Sequence, residues 1–90
     1  MTRLERRVIV LNHRGLHARA AARLVETAAR FAAEVEVVRG SQRVSARSIM
    51  GLMMLAASPG VELVLSAEGV DAEAALGALV RLFEARFDED

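Results

Sequence analysis

The sequence predicts an α/β (α+β) fold of two layers, an open-faced sandwich in which helices cover one face of a four-stranded sheet. Four short β-branched or alternating segments are typical of strands, and three segments are typical of helices. Along the chain they follow the order βαββαβα, which favours one sheet with helices packed on it. Ninety residues suffice for a single core, so we expect one domain over residues 1–90.

The first half of the chain contains a strand, a helix and a hairpin. Residues 7–11 are a β-branched run and predict a buried strand. Residues 18–29 are rich in alanine and repeat apolar side chains at i, i+3, i+4 and i+7, which predicts an amphipathic helix. Residues 34–38 alternate between polar and apolar side chains, and residues 42–46 predict the returning strand of a hairpin.

The second half contains a short helix, a strand and a longer helix. Residues 49–57 follow Ser48 and predict a methionine-rich helix that ends before Pro59. Residues 61–67 alternate and predict the last strand. The final helix begins at Asp71, which we expect to be its N-cap. Its apolar side chains recur at helical spacing: Leu76, Leu79, Val80, Phe83 and Phe87.

Composition excludes several classes of function. The 12 basic residues are all arginine and are balanced by 12 acidic residues, which argues against a nucleic-acid-binding domain. The chain has no cysteine, so disulfides, zinc–thiolate sites and thiol nucleophiles are excluded. No segment approaches the roughly 20 apolar residues of a membrane span, and no signal peptide is visible. We therefore expect a cytoplasmic protein without membrane insertion.

The first candidate site is His17, which follows Gly15 and directly precedes the first predicted helix. The unpaired backbone N–H groups at a helix start, here those of Ala18 and Arg19, suit an anion and phosphate in particular. A neutral imidazole is a competent nucleophile near neutral pH. A phosphoryl group on His17 would meet these donors and the guanidinium of Arg19. The spacing therefore indicates a phosphohistidine, the alternative being a surface histidine without a role.

A metal site is the other hypothesis for this stretch, because His13 lies four residues before His17. Two imidazoles do not complete a coordination shell, and Gly15 interrupts the helix that this spacing would require. We therefore expect no metal, and we interpret His13 as a solvated loop residue.

The second candidate site is Ser48 with the helix behind it. The hydroxyl of Ser48 predicts an N-cap, and a helix start is also a favourable place to add phosphate. Ile49, Met50, Met53 and Met54 cannot all face inward on so short a helix, so some of them must be exposed, and soft methionines suit a surface that docks several partners. Arg43 and Arg47 are candidates for the rim of this surface.

Two blocks of the sequence resemble HPr, the histidine-containing phosphocarrier family of the bacterial phosphoenolpyruvate-dependent phosphotransferase system. The block from Gly15 to Ala22 is similar to the family's active-site signature, and the block from Ser45 to Leu52 is similar to its regulatory-serine segment. The resemblance covers essentially the whole chain. It implies a four-stranded antiparallel sheet with three helices on one side.

The resemblance also implies a role for each candidate residue. His17 would accept a phosphoryl group on Nδ1 from phosphorylated Enzyme I and pass it to an Enzyme IIA-type acceptor, with Arg19 pairing with the phosphate. Ser48 would become phosphoserine where an HPr kinase/phosphorylase is present, which would weaken docking to Enzyme I. Ile49, Met50 and Met53 would dock the partners. Such a protein is a monomeric carrier without a cofactor, and not a turnover enzyme.

One departure from the family is Ala20, where proline is usual after the active-site arginine. Alanine permits the same helix start and removes no phosphate ligand, so we expect the chemistry to survive. The departure favours a divergent branch, such as the nitrogen-related systems, over a sugar-transport carrier, and both branches stay open at this point.

Two other functions remain as alternatives. The chain could be a regulatory binding module that acts through Ser48 and the methionines without phosphoryl relay, although the pair His17 and Arg19 argues against it. It could also be a small structural subunit without chemistry.

Overall fold

The computed structural model describes residues 2–89 and contains, within them, four strands and three α-helices in the predicted order. The strands are β1 (Leu4–Ile9), β2 (Glu34–Arg39), β3 (Gln42–Ser45) and β4 (Glu62–Glu68). The helices are α1 (Ala18–Ala28), α2 (Ile49–Met54) and α3 (Ala72–Glu84), and a 3-10 turn, Arg86–Asp88, follows α3. Among the helices of residues 2–89, none has the length and apolar character needed to cross a bilayer.

The strands form one antiparallel sheet in the order β1-β4-β2-β3. Val8 lies opposite Leu63 and Val37 lies opposite Leu65, so the apolar positions of neighbouring strands share one face. α3 packs against β1 and β4, and α1 packs against α2 and α3. The open-faced sandwich with three helices on one side is therefore confirmed.

The core lies between the sheet and the helices. Leu24 of α1, Leu76 and Leu79 of α3 and Leu65 of β4 are all fully buried. Burial of each such side chain stabilises the fold by roughly 1.5–3 kcal/mol. The opposite face of the sheet carries ion pairs instead, because alternate strand residues point away from the core.

Four elements differ from the prediction by one residue at an end, and β1 and α2 differ by more. β1 lies over Leu4–Ile9, three residues earlier than expected at its start, because its partner β4 extends pairing as far as Ala67. α2 ends at Met54 and not at residue 57. The chain leaves the helix at Ala56, which has φ 53°, and Arg39 donates to the carbonyl oxygens of Leu55 (2.7 Å) and Ala56 (2.9 Å). These bonds satisfy carbonyls that have no partner within the helix.

The prediction that Phe87 continues the last helix is wrong. α3 ends at Glu84, and Arg86, Phe87 and Asp88 have φ of 55°, 54° and 60°. The chain thus curls left-handedly into what we call the hook, residues 86–89. Phe87 is nevertheless fully buried, with its ring edge-on to Phe83 and the ring centroids 4.8 Å apart.

Asp71 occupies the N-cap position of α3, but its side chain makes no capping bond. Its carboxylate instead accepts hydrogen bonds from the backbone N–H groups of Ala32 (2.9 Å) and Ala33 (2.8 Å). The predicted cap is therefore wrong in its side-chain role. Asp71 ties the segment between α1 and β2 to the start of α3.

Candidate functional site

The loop before His17 is fixed on both sides. The amide of Asn12 donates to the carbonyl of Gly15 (2.6 Å), and the N–H of Leu16 donates to the carbonyl of Ala57 (2.9 Å). Gly15 has φ 67°, and a Cβ there would lie 2.5 Å from the oxygen of Ala57. Only glycine fits this conformation and this close approach. The backbone that presents His17 is therefore held against the segment that follows α2.

His17 is the N-cap residue of α1. Its backbone is extended (φ −76°, ψ 179°), and its carbonyl accepts the first helical bond from Ala21 (2.8 Å). The imidazole makes no capping bond, and the first turn contains no acidic residue. The N–H groups of Ala18 and Arg19 therefore form an uncapped, positively polarised helix start, as the sequence predicted.

The imidazole of His17 contacts a carboxylate that the sequence did not point to. Nε2 lies 2.5 Å from Oε2 of Glu89, and the other carboxylate oxygen of Glu89 accepts a hydrogen bond from the amide of Asn12 (3.0 Å). Burial raises the pKa of Glu89, but hydrogen bonds from Asn12 and His17, with the charges of His17 and Arg14, outweigh it and lower the pKa below its usual value. Glu89 is therefore ionised beside the imidazole.

Arg19 lies in the first turn of α1, two residues from His17. It is exposed, and it forms no ion pair with any residue from 2 to 89. Its guanidinium is thus available to an incoming anion, whereas Arg23, one turn along the helix, is already paired with Asp88 (3.0 Å). An open cavity of about 210 Å³ adjoins His17 and is bounded by Arg14 and by residues 56–58.

The described residues contain no cluster of side chains that supports the metal hypothesis. His13 is an exposed loop residue, as predicted. Within residues 2–89, no three histidine, aspartate or glutamate side chains come together in a way that could hold a metal ion.

Ser48 is the N-cap of α2, as predicted. Its Oγ accepts a hydrogen bond from the N–H of Gly51 (3.0 Å), and its carbonyl accepts one from Leu52 (3.0 Å). A Cβ at Gly51 would lie 3.0 Å from this hydroxyl, so the cap closes over a small residue. Ser48 is half-buried.

The apolar side chains of α2 divide between two faces. Leu52 is fully buried, while Ile49, Met50, Met53 and Met54 are 39%, 69%, 40% and 71% exposed. We call these four residues the methionine patch. It contains all four side chains that the sequence singled out, among them Ile49, Met50 and Met53, the three that the family resemblance implies for docking. Residues 56–58, directly after α2, adjoin His17, so the end of the helix that carries the patch leads into the surroundings of the imidazole.

The two arginines suggested for the rim of the patch are both bound to other residues. Arg43 pairs with Glu36 (2.8 Å) on the open face of the sheet, since its neighbour Val44 faces α2. The guanidinium of Arg47 donates to the carbonyl of Phe31 (2.8 Å). The rim prediction is wrong for Arg43, and Arg47 joins the segment before α2 to the segment between α1 and β2.

Comparison with known proteins identifies the family. Residues 4–85 match the family described as PTS HPr component phosphorylation site. The chain belongs to the HPr family. It is 47% identical over 89 residues to the phosphocarrier protein NPr of Shewanella violacea, covering 99% of this chain and 98% of that one. It is 51% identical over 83 residues to the phosphocarrier protein HPr of Treponema pallidum, covering 92% and 94%.

The fold comparison agrees with this assignment. The structure matches a crystal structure of HPr from Thermoanaerobacter tengcongensis with a TM-score of 0.92, at 45% identity and over 97% of this chain and 98% of that chain. HPr-family proteins carry phosphoryl groups within the phosphotransferase system and are not turnover enzymes. The prediction of a phosphocarrier is confirmed at this level.

Proposed function

We propose that residues 1–90 act as one phosphocarrier domain in which His17 accepts a phosphoryl group from phosphorylated Enzyme I and passes it to an Enzyme IIA-type acceptor. The observation that carries this proposal is an imidazole at an uncapped helix start, beside the exposed guanidinium of Arg19. The family assignment supports it, since both relatives named above are phosphocarrier proteins.

The transfer forms a P–N bond as the donor's bond to phosphorus breaks. The lone pair of His17 Nδ1 forms the bond to phosphorus, and the electron pair of the breaking bond stays with the donor. The phosphoryl oxygens then meet the N–H groups of Ala18 and Arg19 and the guanidinium of Arg19. These contacts hold the charge without removing the reactivity of the P–N bond. A carrier needs that combination.

The test is phosphorylation with Enzyme I and phosphoenolpyruvate. We expect a phosphate that is labile in acid and stable in base, absent in His17→Ala and retained in the matched control His13→Ala. Arg19→Ala should slow the transfer by about 10- to 100-fold, because one charged donor to the transferred group is lost. Label that survives His17→Ala, or no label on the natural protein, contradicts the proposal.

Ser48 is proposed as a regulatory site for an HPr kinase/phosphorylase. A phosphate there adds about −1.5 to −2 charges beside the methionine patch, which opposes docking to an acidic surface of Enzyme I. Phosphoserine at position 48 should therefore reduce affinity for Enzyme I, measured by titration calorimetry against Ser45→Asp as a nearby exposed control. The N-cap geometry of Ser48 also supports the second candidate, a regulatory module without relay. Kinase labelling of Ser48 without transfer from Enzyme I favours that module.

The physiological branch is proposed from Ala20. α1 begins at Ala18 without a proline, and Ala20 is fully buried, so the helix start tolerates the departure from the family pattern. We assign the carrier to the nitrogen-related branch, in the cytoplasm and as a monomer. Phosphoryl transfer to nitrogen-type and sugar-type Enzyme IIA acceptors, run in competition, tests this assignment. Faster transfer to the sugar-type acceptor contradicts it.

A further inference from the structure

Glu89 reaches His17 only because the chain reverses its hand after α3. Arg86, Phe87 and Asp88 are three consecutive left-handed residues, and none of them is glycine. Left-handed backbone is sterically disfavoured for such residues, so surrounding contacts must hold it. Phe87 is anchored in the core beside Phe83, and Asp88 pairs with Arg23 of α1 (3.0 Å). The two residues directly before Glu89 are thereby held in place.

The carboxylate of Glu89 is then divided between two partners. Oε2 lies 2.5 Å from Nε2 of His17, and Oε1 accepts from the amide of Asn12 (3.0 Å). The same amide donates to the carbonyl of Gly15 (2.6 Å), within the loop that presents His17. The two side chains are only 18% and 14% exposed, so water competes little for the contact. Glu89 is thus oriented from the side opposite to the imidazole.

We propose that Glu89 is a positioning residue for phosphoryl acceptance by His17, holding the proton on Nε2 so that Nδ1 presents its lone pair to the donor. The proposal rests on the proposed function. An ionised carboxylate can only accept a hydrogen bond, so the nitrogen that faces it must be the protonated one. Nδ1 is then the unprotonated nitrogen of the neutral ring. A histidine oriented by a carboxylate on its other nitrogen is a recurring arrangement in catalysis.

The same contact favours the phosphorylated ring. As Nδ1 bonds to phosphorus and the donor group leaves with its electron pair, the proton remains on Nε2 and the ring of His17 gains a positive charge. That charge develops directly opposite the carboxylate of Glu89, which stabilises it at short range. On transfer to the acceptor, the electron pair of the breaking P–N bond returns to Nδ1 and the ring becomes neutral again. Glu89 therefore neither gains nor loses a proton in either step.

The experiment combines NMR of the His17 ring with transfer kinetics. In protein labelled with ¹⁵N-histidine, we expect an unprotonated Nδ1 and an Nε2 proton that is protected from exchange with water. Glu89→Ala should expose that proton to exchange and allow both tautomers. The rate of transfer from phosphorylated Enzyme I should fall about 10-fold in kcat, with KM unchanged, since Glu89 lies outside the methionine patch. Glu89→Gln retains an acceptor without charge and should give an intermediate rate.

Glu84→Ala is the matched control, because Glu84 is an exposed carboxylate at the end of α3. It should leave the ring signals and the rate unchanged. Equal ring signals in Glu89→Ala and Glu84→Ala overturn the proposal, and so does a changed tautomer with an unchanged rate. A natural protein that takes no label from Enzyme I overturns the proposed function alone, since the ring signals still decide whether Glu89 fixes the tautomer.

Discussion

Ala56 has a backbone conformation that few residues other than glycine adopt, with φ 53°. A left-handed conformation costs an alanine roughly 1–2 kcal/mol relative to its usual regions. The conformation persists because Arg39 binds the carbonyls of Leu55 and Ala56, and because the chain must then place the carbonyl of Ala57 on the N–H of Leu16. The exposed residue Ala56 thus stores strain next to His17.

Replacing Ala56 with glycine should relieve this strain. We expect Ala56→Gly to raise the free energy of unfolding by about 0.5–1 kcal/mol, because the relief exceeds the added entropy of the unfolded chain. Urea unfolding measures it. The control is Ala74→Gly, an exposed position inside α3, where glycine should lower stability by about 1 kcal/mol. Destabilisation by both substitutions would contradict the strain at Ala56.

Individual residues differ in how far the sequence revealed them. His17 and Ser48 could be predicted as N-caps, since capping depends on residues next to one another in the chain. Glu89 lies 72 positions from His17, and nothing in the local pattern links the two. The contact depends on where the hook ends, which is a property of the packed structure.

The hook also shows why an element boundary can escape a pattern. Leu76, Leu79, Phe83 and Phe87 fit helical spacing, so continuation of α3 was the natural prediction. No glycine, asparagine or proline at positions 85–88 signals a change of hand. Phe87 is buried in the observed hook, as it would be in the predicted helix, and only the path of the backbone differs.

The contact of Asp71, at the start of α3, with the segment that follows α1 makes the stability of the fold depend on pH. The hydrogen bond from the N–H of Ala32 lowers the pKa of Asp71 below 3.8, partial burial opposes this, and the N–H of Ala33 adds to the lowering. A carboxylate with a lowered pKa binds fewer protons in the folded state. Its stabilisation is complete above the unfolded pKa and is lost as the pH falls through the folded value.

We therefore expect the natural protein to lose stability in acid, as the pH falls through the lowered pKa values of Glu89 and Asp71. Asp71→Asn should be less stable near neutral pH and should show a smaller loss in acid. Thermal unfolding from about pH 6 to about pH 2.5 measures both effects. Glu73→Gln, an exposed first-turn carboxylate of α3, is the control. An Asp71→Asn profile parallel to that of the natural protein contradicts the argument.

At the scale of the whole molecule, the sequence predicted the two layers but not the polar contacts that connect one element to another. Alternation in the strands and helical spacing in α1 and α3 fix which faces are apolar, and this suffices for a sheet covered by helices. The strand order β1-β4-β2-β3 and the contacts made by Asp71, Arg39 and Arg47 are non-local. They involve polar side chains whose partners the sequence does not specify.

The exposure of the methionine patch predicts separable effects on stability and on docking. Met50→Ala and Met54→Ala should change the free energy of unfolding by less than about 0.5 kcal/mol, because both side chains are largely exposed. Both should weaken binding to Enzyme I, measured by titration calorimetry, by about 1 kcal/mol each. Val70→Ala, at a 91% exposed residue in the loop before α3, is the control. Unaltered affinity in the methionine variants would place docking elsewhere.

The bond from Leu16 to Ala57 and the contact of Gly15 with the same carbonyl have a further consequence. They join the segment after α2 to the loop that presents His17 through backbone atoms, and no side chain of the methionine patch takes part in them. Exchange of the methionines could change which protein docks while the reactive nitrogen keeps its aim. Partner choice and phosphoryl chemistry could then diverge independently within a chain of ninety residues.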